Sequence, residues 1–363
     1  MERIRAGQIF ALYLFDVAEA IDLAAAASLV GGSTRARLEA KGPTPAYLQY
    51  QQPPLLFEGS AVEQATLEGF QTAFRVFDYG VISLRLSKPF FGTWSDLSAT
   101  AQTLVENEAL ERQAELACRS LSERLGRSVT KPRQTLLSED YVVFAVNELD
   151  RPHSAEDLMA AHGDVIARLL RGESALLSVQ ERDEILSHRL SYLADDLVIP
   201  TWNSAFVYDT PSGAQAAVEI FEFANSQLLQ FRYYDDLLDD ELARIYADMQ
   251  RKRWYDWIVG RHYARAARQV HALFIDVNEL TDRTENALKI IGDVYAARLF
   301  SLAGARLDLS QWKTNVNEKL KTLDDIYRFL VERVSMSRGQ FLELTVVVIL
   351  VLELVLVFTG VPR

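Results

Sequence analysis

The side chains with the most scope for chemistry are five histidines and a single cysteine. His262 and His271 are nine residues apart, which would place them on opposite faces of a helix, and no His-Glu-x-x-His pattern occurs. Cys118 has no histidine at helical spacing, so a buried structural thiol is favoured over a nucleophile. The sequence contains neither a phosphate-binding loop nor a dinucleotide fingerprint. These patterns predict no catalytic residue, no metal ligand and no cofactor.

Runs of consecutive acids offer one alternative, a divalent-cation site. They are Asp195-Asp196, Asp235-Asp236 and Asp239-Asp240-Glu241. Consecutive carboxylates on a helix point in different directions, so a solvated acidic face is the favoured interpretation. A metal-dependent hydrolase whose site is assembled from acids distant in sequence is kept as a third hypothesis of function.

A basic and aromatic segment, 251–268, stands out in a chain whose formal net charge is −12. Cations interleaved with aromatic rings suit contacts with single-stranded RNA. The same composition suits the headgroup layer of a membrane, and it also suits a junction between helices. The alternatives stay open, and the candidate binding residues are Arg251, Lys252, Arg253, Trp254, Trp257, Arg261, Arg265 and Arg268.

The most apolar stretch lies at 341–361, where about 20 residues in a helix would span roughly 30 Å, the thickness of one hydrocarbon core. It predicts a single transmembrane helix. Glu343 would lie near its edge and Glu353 near its middle. An ionisable group at that depth usually faces protein, so we expect Glu353 to favour homo-oligomers.

The charges around this stretch predict its orientation. Arg328, Arg333 and Arg338 precede it and Arg363 follows it. The positive-inside bias therefore predicts a single-pass protein of the cytoplasmic (inner) membrane whose N-terminal domain faces the cytoplasm. In a eukaryote the corresponding place is the mitochondrial inner membrane.

Length and composition bound the organisation of the chain. Its 363 residues suggest two or three domains, and a hydrophobic content of 49% is ample for sizeable cores. The negative net charge argues against general affinity for nucleic acids. One cysteine cannot form an internal disulfide, which fits a reducing compartment.

Two successive halves of the chain are predicted to share one order of elements: strand, helix, strand, strand, long helix. The first half has predicted strands at 8–15, 47–57 and 74–85 and helices at 16–29 and 93–125. The second half has predicted strands at 141–146, 190–199 and 202–209 and helices at 154–171 and from 212 to about 257. Each half matches the core of a ferredoxin-like sandwich, so we predict an α+β fold with a possible internal duplication.

The remainder of the chain is predicted to be helical. Apolar residues spaced by three and four predict helices at 261–302 and 309–358, joined as an antiparallel hairpin that runs into the transmembrane helix. The expected domains are a first α+β unit at 1–130, a second at 131–255, a helical stalk at 256–340 and the transmembrane helix at 341–361.

Three segments together resemble the required-for-meiotic-nuclear-division family, an uncharacterised group found in bacteria, fungi and animal mitochondria. They are Glu222-Phe-Ala-Asn-Ser-Gln-Leu-Leu-Gln-Phe-Arg-Tyr-Tyr-Asp-Asp-Leu-Leu238, the strands 192–199 and 202–209, and the terminal apolar stretch. The resemblance covers about 70–358, and Gln230 departs from the acidic residue expected there. It implies one C-terminal membrane helix and, for mitochondrial members, a part in organellar translation. It implies no catalytic residue.

The sequence therefore favours a non-enzymatic, tail-anchored membrane protein. A cytoplasm-facing head on a helical stalk would form homo-oligomers that tether or scaffold a partner, with support of translation at the membrane as one role. The second hypothesis is an RNA- or ribosome-binding module that acts through 251–268. The third is the metal-dependent hydrolase.

Overall fold

The computed structural model describes residues 2–29, 34–35, 54–59, 62, 65, 67, 69–250, 272, 274–275, 277–278 and 294–359. The chain divides into two compact units. One is formed by Met1–Tyr233 with Asp282–Trp312, and the other by Tyr234–Thr281 with Lys313–Arg363.

A single β-sheet organises the first unit. Its strands are β1 Arg3–Ile21, β2 Thr34–Arg35, β3 Leu55–Glu58, β4 Gln71–Val76, β5 Val81–Thr93, β6 Val129–Leu149, β7 Leu197–Pro200 and β8 Ser204–Tyr208. Within the described residues they form one eight-stranded sheet in the order β2-β3-β4-β5-β1-β6-β8-β7. Neighbouring strands are antiparallel, except that β6 and β8 run parallel.

This sheet corrects the predicted fold class. The α+β character is as predicted, but the two separate ferredoxin-like units are wrong. Strand β1 pairs with β5 on one side and with β6 on the other, so both halves of the chain contribute to one continuous sheet. Repeated local patterns do not reveal such pairing, because they do not specify which strand lies beside which.

The described helices are α1 Leu23–Leu29, α2 Trp94–Leu104, α3 Glu108–Leu125, α4 Ala155–Arg171, α5 Val179–Ser187, α6 Pro211–Gln250, α7 Val294–Arg306 and α8 Leu309–Thr359. Helices of the first unit cover both faces of the sheet. Buried leucines of α2, α3 and α4 join one hydrophobic core with Tyr13 and Phe144 of the sheet. On the opposite face, Phe221 of α6 stacks on Tyr141 of β6, with ring centroids 5.2 Å apart.

Strand β1 is longer than the sequence indicates. A helix was predicted from Asp16, but Ala18 and Ile21 still pair with β6. The helix begins only after Asp22, whose carboxylate accepts N–H groups of the first turn at 2.9 and 3.1 Å. Residues 9–15 of β1 are buried on both faces, because β1 lies in the middle of a covered sheet.

The helix predicted over 93–125 is interrupted. Helix α2 begins at Trp94 behind a capping box formed by Thr93 and Asp96. It ends at Leu104, and α3 begins after Asn107, whose side chain accepts two N–H groups of the new first turn at 3.0 Å. Between them Glu106 has a left-handed backbone with φ +57°. Apolar spacing alone did not reveal this break.

The membrane prediction is also corrected. Among the helices that the structure describes, none combines the length and the apolar character needed to cross a membrane. The predicted transmembrane helix at 341–361, the tail anchor and the single-pass placement in the inner membrane are therefore wrong. Residues 341–359 instead form the end of the continuous 51-residue helix α8, as the predicted bounds 309–358 imply. The prediction rested on composition and length alone.

Candidate metal centre

Three metal-ligating side chains from distant parts of the sequence meet in the first unit: Glu2, His153 and His162. One carboxylate oxygen of Glu2 lies 2.8 Å from Nε2 of His153, and the other lies 2.7 Å from Nε2 of His162. One potential ligand atom from each residue lies within 4.8 Å of the other two. In the described part of the chain, these three residues form the one group of at least three histidine, cysteine or acidic side chains that could hold a metal ion.

The sheet register brings the first two residues together. Ile4 of β1 pairs with Leu149 of β6, so the start of β1 lies beside the end of β6. The carboxylate of Asp150 reinforces this junction, because it accepts the backbone N–H of Arg3 at 2.9 Å and the side chain of Arg5 at 3.0 Å. Glu2 and the turn after β6 are therefore held next to each other.

The turn then leads into α4, which carries the third residue. Ser154 caps α4 by accepting the backbone N–H of Asp157 at 3.1 Å, as the sequence predicts. His153 directly precedes this cap, and its backbone N–H donates to the hydroxyl of Tyr208 in β8 at 3.3 Å. His162 follows about two helical turns later. Each of the two histidines is thus positioned by regular structure.

An aromatic side chain orients His162 further. The Trp94 ring, at the start of α2, stacks on the His162 imidazole with centroids 4.5 Å apart and planes 20° from parallel. The two imidazoles meet edge to face at 6.0 Å. Stacking of this kind restricts rotation of the ring, which favours a preorganised site.

The cluster is mostly buried and contains one ionised acid. The side chains of Glu2, His153 and His162 expose between 15% and 18% of their surface. Burial by itself would raise the pKa of Glu2. Hydrogen bonds and positive charge from His153 and His162 outweigh that effect and hold the pKa below its ordinary value of 4.5. Glu2 is therefore a carboxylate at neutral pH, the form that ligates metals.

Two imidazoles and one carboxylate form a known ligand set for catalytic Zn²⁺, which leaves a fourth position open for water or substrate. Ligand atoms at the usual Zn²⁺ distances, in tetrahedral geometry, are about 3.3 Å from one another. The spacings of 2.7 and 2.8 Å, which involve different oxygens of Glu2, would have to widen by about half an ångström, and ligand atoms that lie up to 4.8 Å apart would have to approach one another, for an ion to bind. The residues present therefore fit a transition metal.

A cleft of about 540 Å³ adjoins the cluster, and Glu2 and His162 line it. This volume lies within the range of small-molecule sites. Other lining side chains come from α2, from α4 and from the loop after α4; they are Ser95, Ser98, Gln102, Arg168 and Glu173. An ion held by the cluster would thus lie at the wall of a space that can hold a substrate.

The site residues predicted from sequence have different positions. The basic segment, with Arg251, Lys252, Arg253, Trp254, Trp257, Arg261, Arg265 and Arg268, lies outside the described residues. Glu343 lies in α8, but its side chain is outside the description, whereas Glu353 is exposed. Their proposed roles in RNA binding or oligomerisation stay predictions.

The acidic runs that the sequence highlighted have protein partners. Both carboxylate oxygens of Asp196 accept backbone N–H groups at 2.7 Å, from Tyr192 and Leu193. In the second unit, Lys319 lies 2.7 Å from both Asp235 and Asp239. These acids therefore stabilise a turn and a contact between helices.

Sequence reasoning missed the metal cluster because its signal is not local. Glu2 is separated from the histidines by about 150 residues, so no ligand-spacing motif exists. The nine-residue separation of His153 and His162 also matches no metal-ligand motif. The useful signal was the N-cap at Ser154, which places His153 outside the helix and free to face back towards His162.

A second group of charged residues is buried between α6 and the sheet. Glu222 has no exposed surface and lies 3.1 Å from Arg75, and it also pairs with Arg85. Arg75 pairs in addition with Glu219 at 3.2 Å. Arg75, Arg85 and Glu222 also line a cavity of about 240 Å³. Because each of these cations faces a carboxylate, we interpret this ionic network as a clamp that holds α6 on β4 and β5.

The same surface of α6 carries further buried polar groups, which belong to the block that resembles a known family. Asn225, Ser226 and Gln227 are each at most 1% exposed. Ser226 and the hydroxyl of Tyr79 form a hydrogen bond of 2.7 Å. Contacts with Tyr79 in the β4–β5 hairpin therefore explain the polar character of Ser226 and Gln227, whereas the Asn225 amide donates to the Phe221 carbonyl within α6.

Comparisons with known proteins match most of the first unit. The family model described as the N-terminal domain of the uncharacterised protein MJ0711 matches residues 6–215, more than half of the chain. The uncharacterised protein MJ0711 of Methanocaldococcus jannaschii is 23% identical over 297 residues, which cover 82% of this chain and 84% of the relative. No solved structure matches the chain. The matched segment includes His153 and His162.

Proposed function

We infer a function for this chain from the premise that it belongs to the family of the MJ0711 N-terminal domain. We propose that the first unit is a metal-dependent hydrolase whose ion is held by Glu2, His153 and His162. The observation that carries this proposal is the convergence of three side chains of ligating type, from the start of β1 and from the turn and helix after β6, beside a 540 Å³ cleft that Glu2 and His162 line.

The proposed chemistry follows from the ligand set. Glu2, His153 and His162 would hold the Zn²⁺ ion, which would supply an activated water near neutral pH and would polarise a substrate oxygen. In hydrolysis the water oxygen bonds to the carbonyl carbon or phosphorus, and the bond to the leaving group breaks. The leaving group takes that electron pair and one proton of the water. The second water proton stays with the product acid and dissociates to solvent.

Direct metal binding tests the proposal. Metal-stripped full-length protein would be titrated with Co²⁺, whose visible absorption reports tetrahedral coordination, and with Zn²⁺ in competition. We expect one ion per chain. His162→Gln and Glu2→Gln should weaken binding by more than the roughly 10- to 100-fold that the loss of an outer-shell partner causes.

Two further variants serve as controls. His188 lies outside the cluster, within 3.4 Å of Arg306, so His188→Gln should bind metal like the wild type. Trp94→Phe should keep the Co²⁺ absorption but reduce any metal-dependent change in tryptophan fluorescence. If no ion binds, or if the Glu2 and His162 variants bind as tightly as the wild type, the cluster is only a hydrogen-bonded structural contact.

The structure bears differently on each of the other hypotheses of function. Tethering to a membrane depended on the corrected transmembrane helix and is not carried forward. RNA or ribosome binding and homo-oligomer formation stay predictions. A closer relation to the required-for-meiotic-nuclear-division family stays a proposal based on residues 222–238, because the comparisons support an uncharacterised family without singling out that one.

A further inference from the structure

We propose that the cleft beside the Glu2–His153–His162 cluster binds an extended substrate with an anionic group, a carboxylate or a phosphate, that pairs with Arg168. The inference rests on the proposed function, since the same cluster would supply the reacting end of the site. It adds the substrate class, which neither the family match nor the metal ligands indicate.

Arg168 is the cation that lines this cleft, together with Glu2 and His162. Its Nε donates to the backbone carbonyl of Asp164, one turn earlier in α4, at 3.3 Å. In the described part of the chain no carboxylate forms an ion pair with it, whereas the nearby Arg171 pairs with Glu181 and Arg182 pairs with Asp164. Arg168 is therefore available to an anion that enters the cleft.

Arg168 and the cluster are both carried by α4. His162 and Arg168 are six residues apart, which places their backbones about 9 Å apart along the helix axis. The Arg168 side chain reaches back to the Asp164 carbonyl, so its guanidinium lies closer to the cluster than its backbone does. A substrate whose anionic group pairs with Arg168 while another group reaches the cluster therefore extends along α4.

The space between the two ends suits a polar substrate. Ser95, Ser98 and Gln102 of α2 line the cleft at positions i, i+3 and i+7, so they share one face of the helix. Their hydroxyl and amide groups can both donate and accept hydrogen bonds. With a divalent ion bound, the charges of the ion and Arg168 would exceed the negative charges of Glu2 and Glu173, which line the same cleft, so the cleft would favour anions within an otherwise acidic chain.

Three probes that share an N-acetylglycyl group test the inference on the Zn²⁺-loaded full-length protein. They are N-acetylglycylglycine, its C-terminal amide, and N-acetylglycine coupled to phosphoethanolamine. Binding and hydrolysis of each would be measured by calorimetry and by amine release. Because a charge-assisted hydrogen bond distinguishes anion from amide, we expect the wild type to prefer at least one anionic probe by roughly 10- to 100-fold. The anionic probe that binds more tightly shows whether Arg168 recognises a carboxylate or a phosphate.

Arg168→Gln should remove the part of this preference that the ion does not supply, a loss of about 10-fold or more, and leave Co²⁺ absorption unchanged. Arg171→Gln is the matched control: it removes a cation from the same helix end that is already paired with Glu181, so the preference should persist. Thermal unfolding of both variants would establish that they are folded.

The outcomes separate this inference from the proposed function. If metal binds but Arg168→Gln keeps the anion preference, or if the wild type has none, the inference is overturned and the metal centre stands. If no metal binds, the proposed function fails. The inference is then tested on the metal-free protein. An anion preference that is lost in Arg168→Gln supports it, and the absence of a preference, or its persistence in that variant, overturns it.

Discussion

Replacing Glu222 by glutamine removes the central charge of the buried ionic network. Glu222 has no exposed surface, Arg75 is 4% exposed and Arg85 is 12% exposed, so water cannot readily take over the lost pairing. Breaking a buried ion pair by removing one partner costs about 3–5 kcal/mol, because a charge is left uncompensated. Since Arg75 retains Glu219 at 3.2 Å, we expect the lower end of that range, about 3 kcal/mol.

Urea unfolding followed by circular dichroism would measure this loss. The pH dependence gives an independent readout. Burial would raise the pKa of Glu222, but Arg75 and Arg85 outweigh burial and hold it below its ordinary value of 4.5. A depressed pKa contributes stability that is present above the ordinary value and is lost as pH falls through the folded-state pKa. The difference between Glu222→Gln and the wild type should therefore shrink under acid conditions.

Two controls make the prediction specific. Glu219→Gln removes a partner that is 12% exposed and has one ion pair with Arg75, so it should cost only about 1 kcal/mol. The double variant Glu222→Leu with Arg85→Leu removes both an acid and a cation, and it should be more stable than Glu222→Gln. A loss below about 1 kcal/mol in Glu222→Gln, with no dependence on pH, would refute the reasoning that the buried carboxylate is ionised and paired.

Further predictions concern single positions in the first unit. Burial, together with neighbouring carboxylates, raises the pKa of Asp140 from 3.8 to about 6. Ionised Asp140 therefore costs up to ~3 kcal/mol above pH 6, and this cost is relieved as pH falls towards 3.8. Asp140→Asn should stabilise the protein at pH 7 and flatten its stability between pH 4 and 6 in urea titrations. Ser154→Ala removes the N-cap beside His153 and should lower stability by about 1 kcal/mol in the same assay. Gly80→Ala places a Cβ 1.8 Å from the carbonyl oxygen of Ala18 at φ +83° and should cost more than Gly69→Ala, where φ is +81° and no atom lies within 4 Å.

Each of these has a result that would count against it. A pH profile of Asp140→Asn that parallels the wild type would mean that Asp140 is solvated. An unchanged stability of Ser154→Ala would mean that water replaces the cap. Equal costs at Gly80 and Gly69 would assign the effect to the backbone conformation alone.

Much of the local structure was predictable because it depends on neighbours in sequence. Ser154 with its following acids predicts the start of α4, and Thr93 to Asp96 predicts the start of α2. Apolar spacing predicts α8 at 309–358, close to its observed bounds of Leu309–Thr359. Capping and helical periodicity act within a few residues, so the printed sequence contains the information they need.

Other features could be recognised only from the tertiary structure. The extension of β1 to Ile21 depends on pairing with β6, more than 100 residues away. Asp235 was expected to face solvent, but Lys319 neutralises it from another helix. Which strands and helices become neighbours depends on the burial of whole surfaces, which no short pattern describes.

The candidate metal centre combines both kinds of information. The sequence shows that histidine and glutamate side chains are present, and the N-cap at Ser154 makes the turn at His153 predictable. Only the β1–β6 register, with Ile4 opposite Leu149, brought Glu2 to the two imidazoles. A metal site requires ligand atoms to be placed to within about an ångström. In this chain, pairing between strands that are distant in sequence determines that placement.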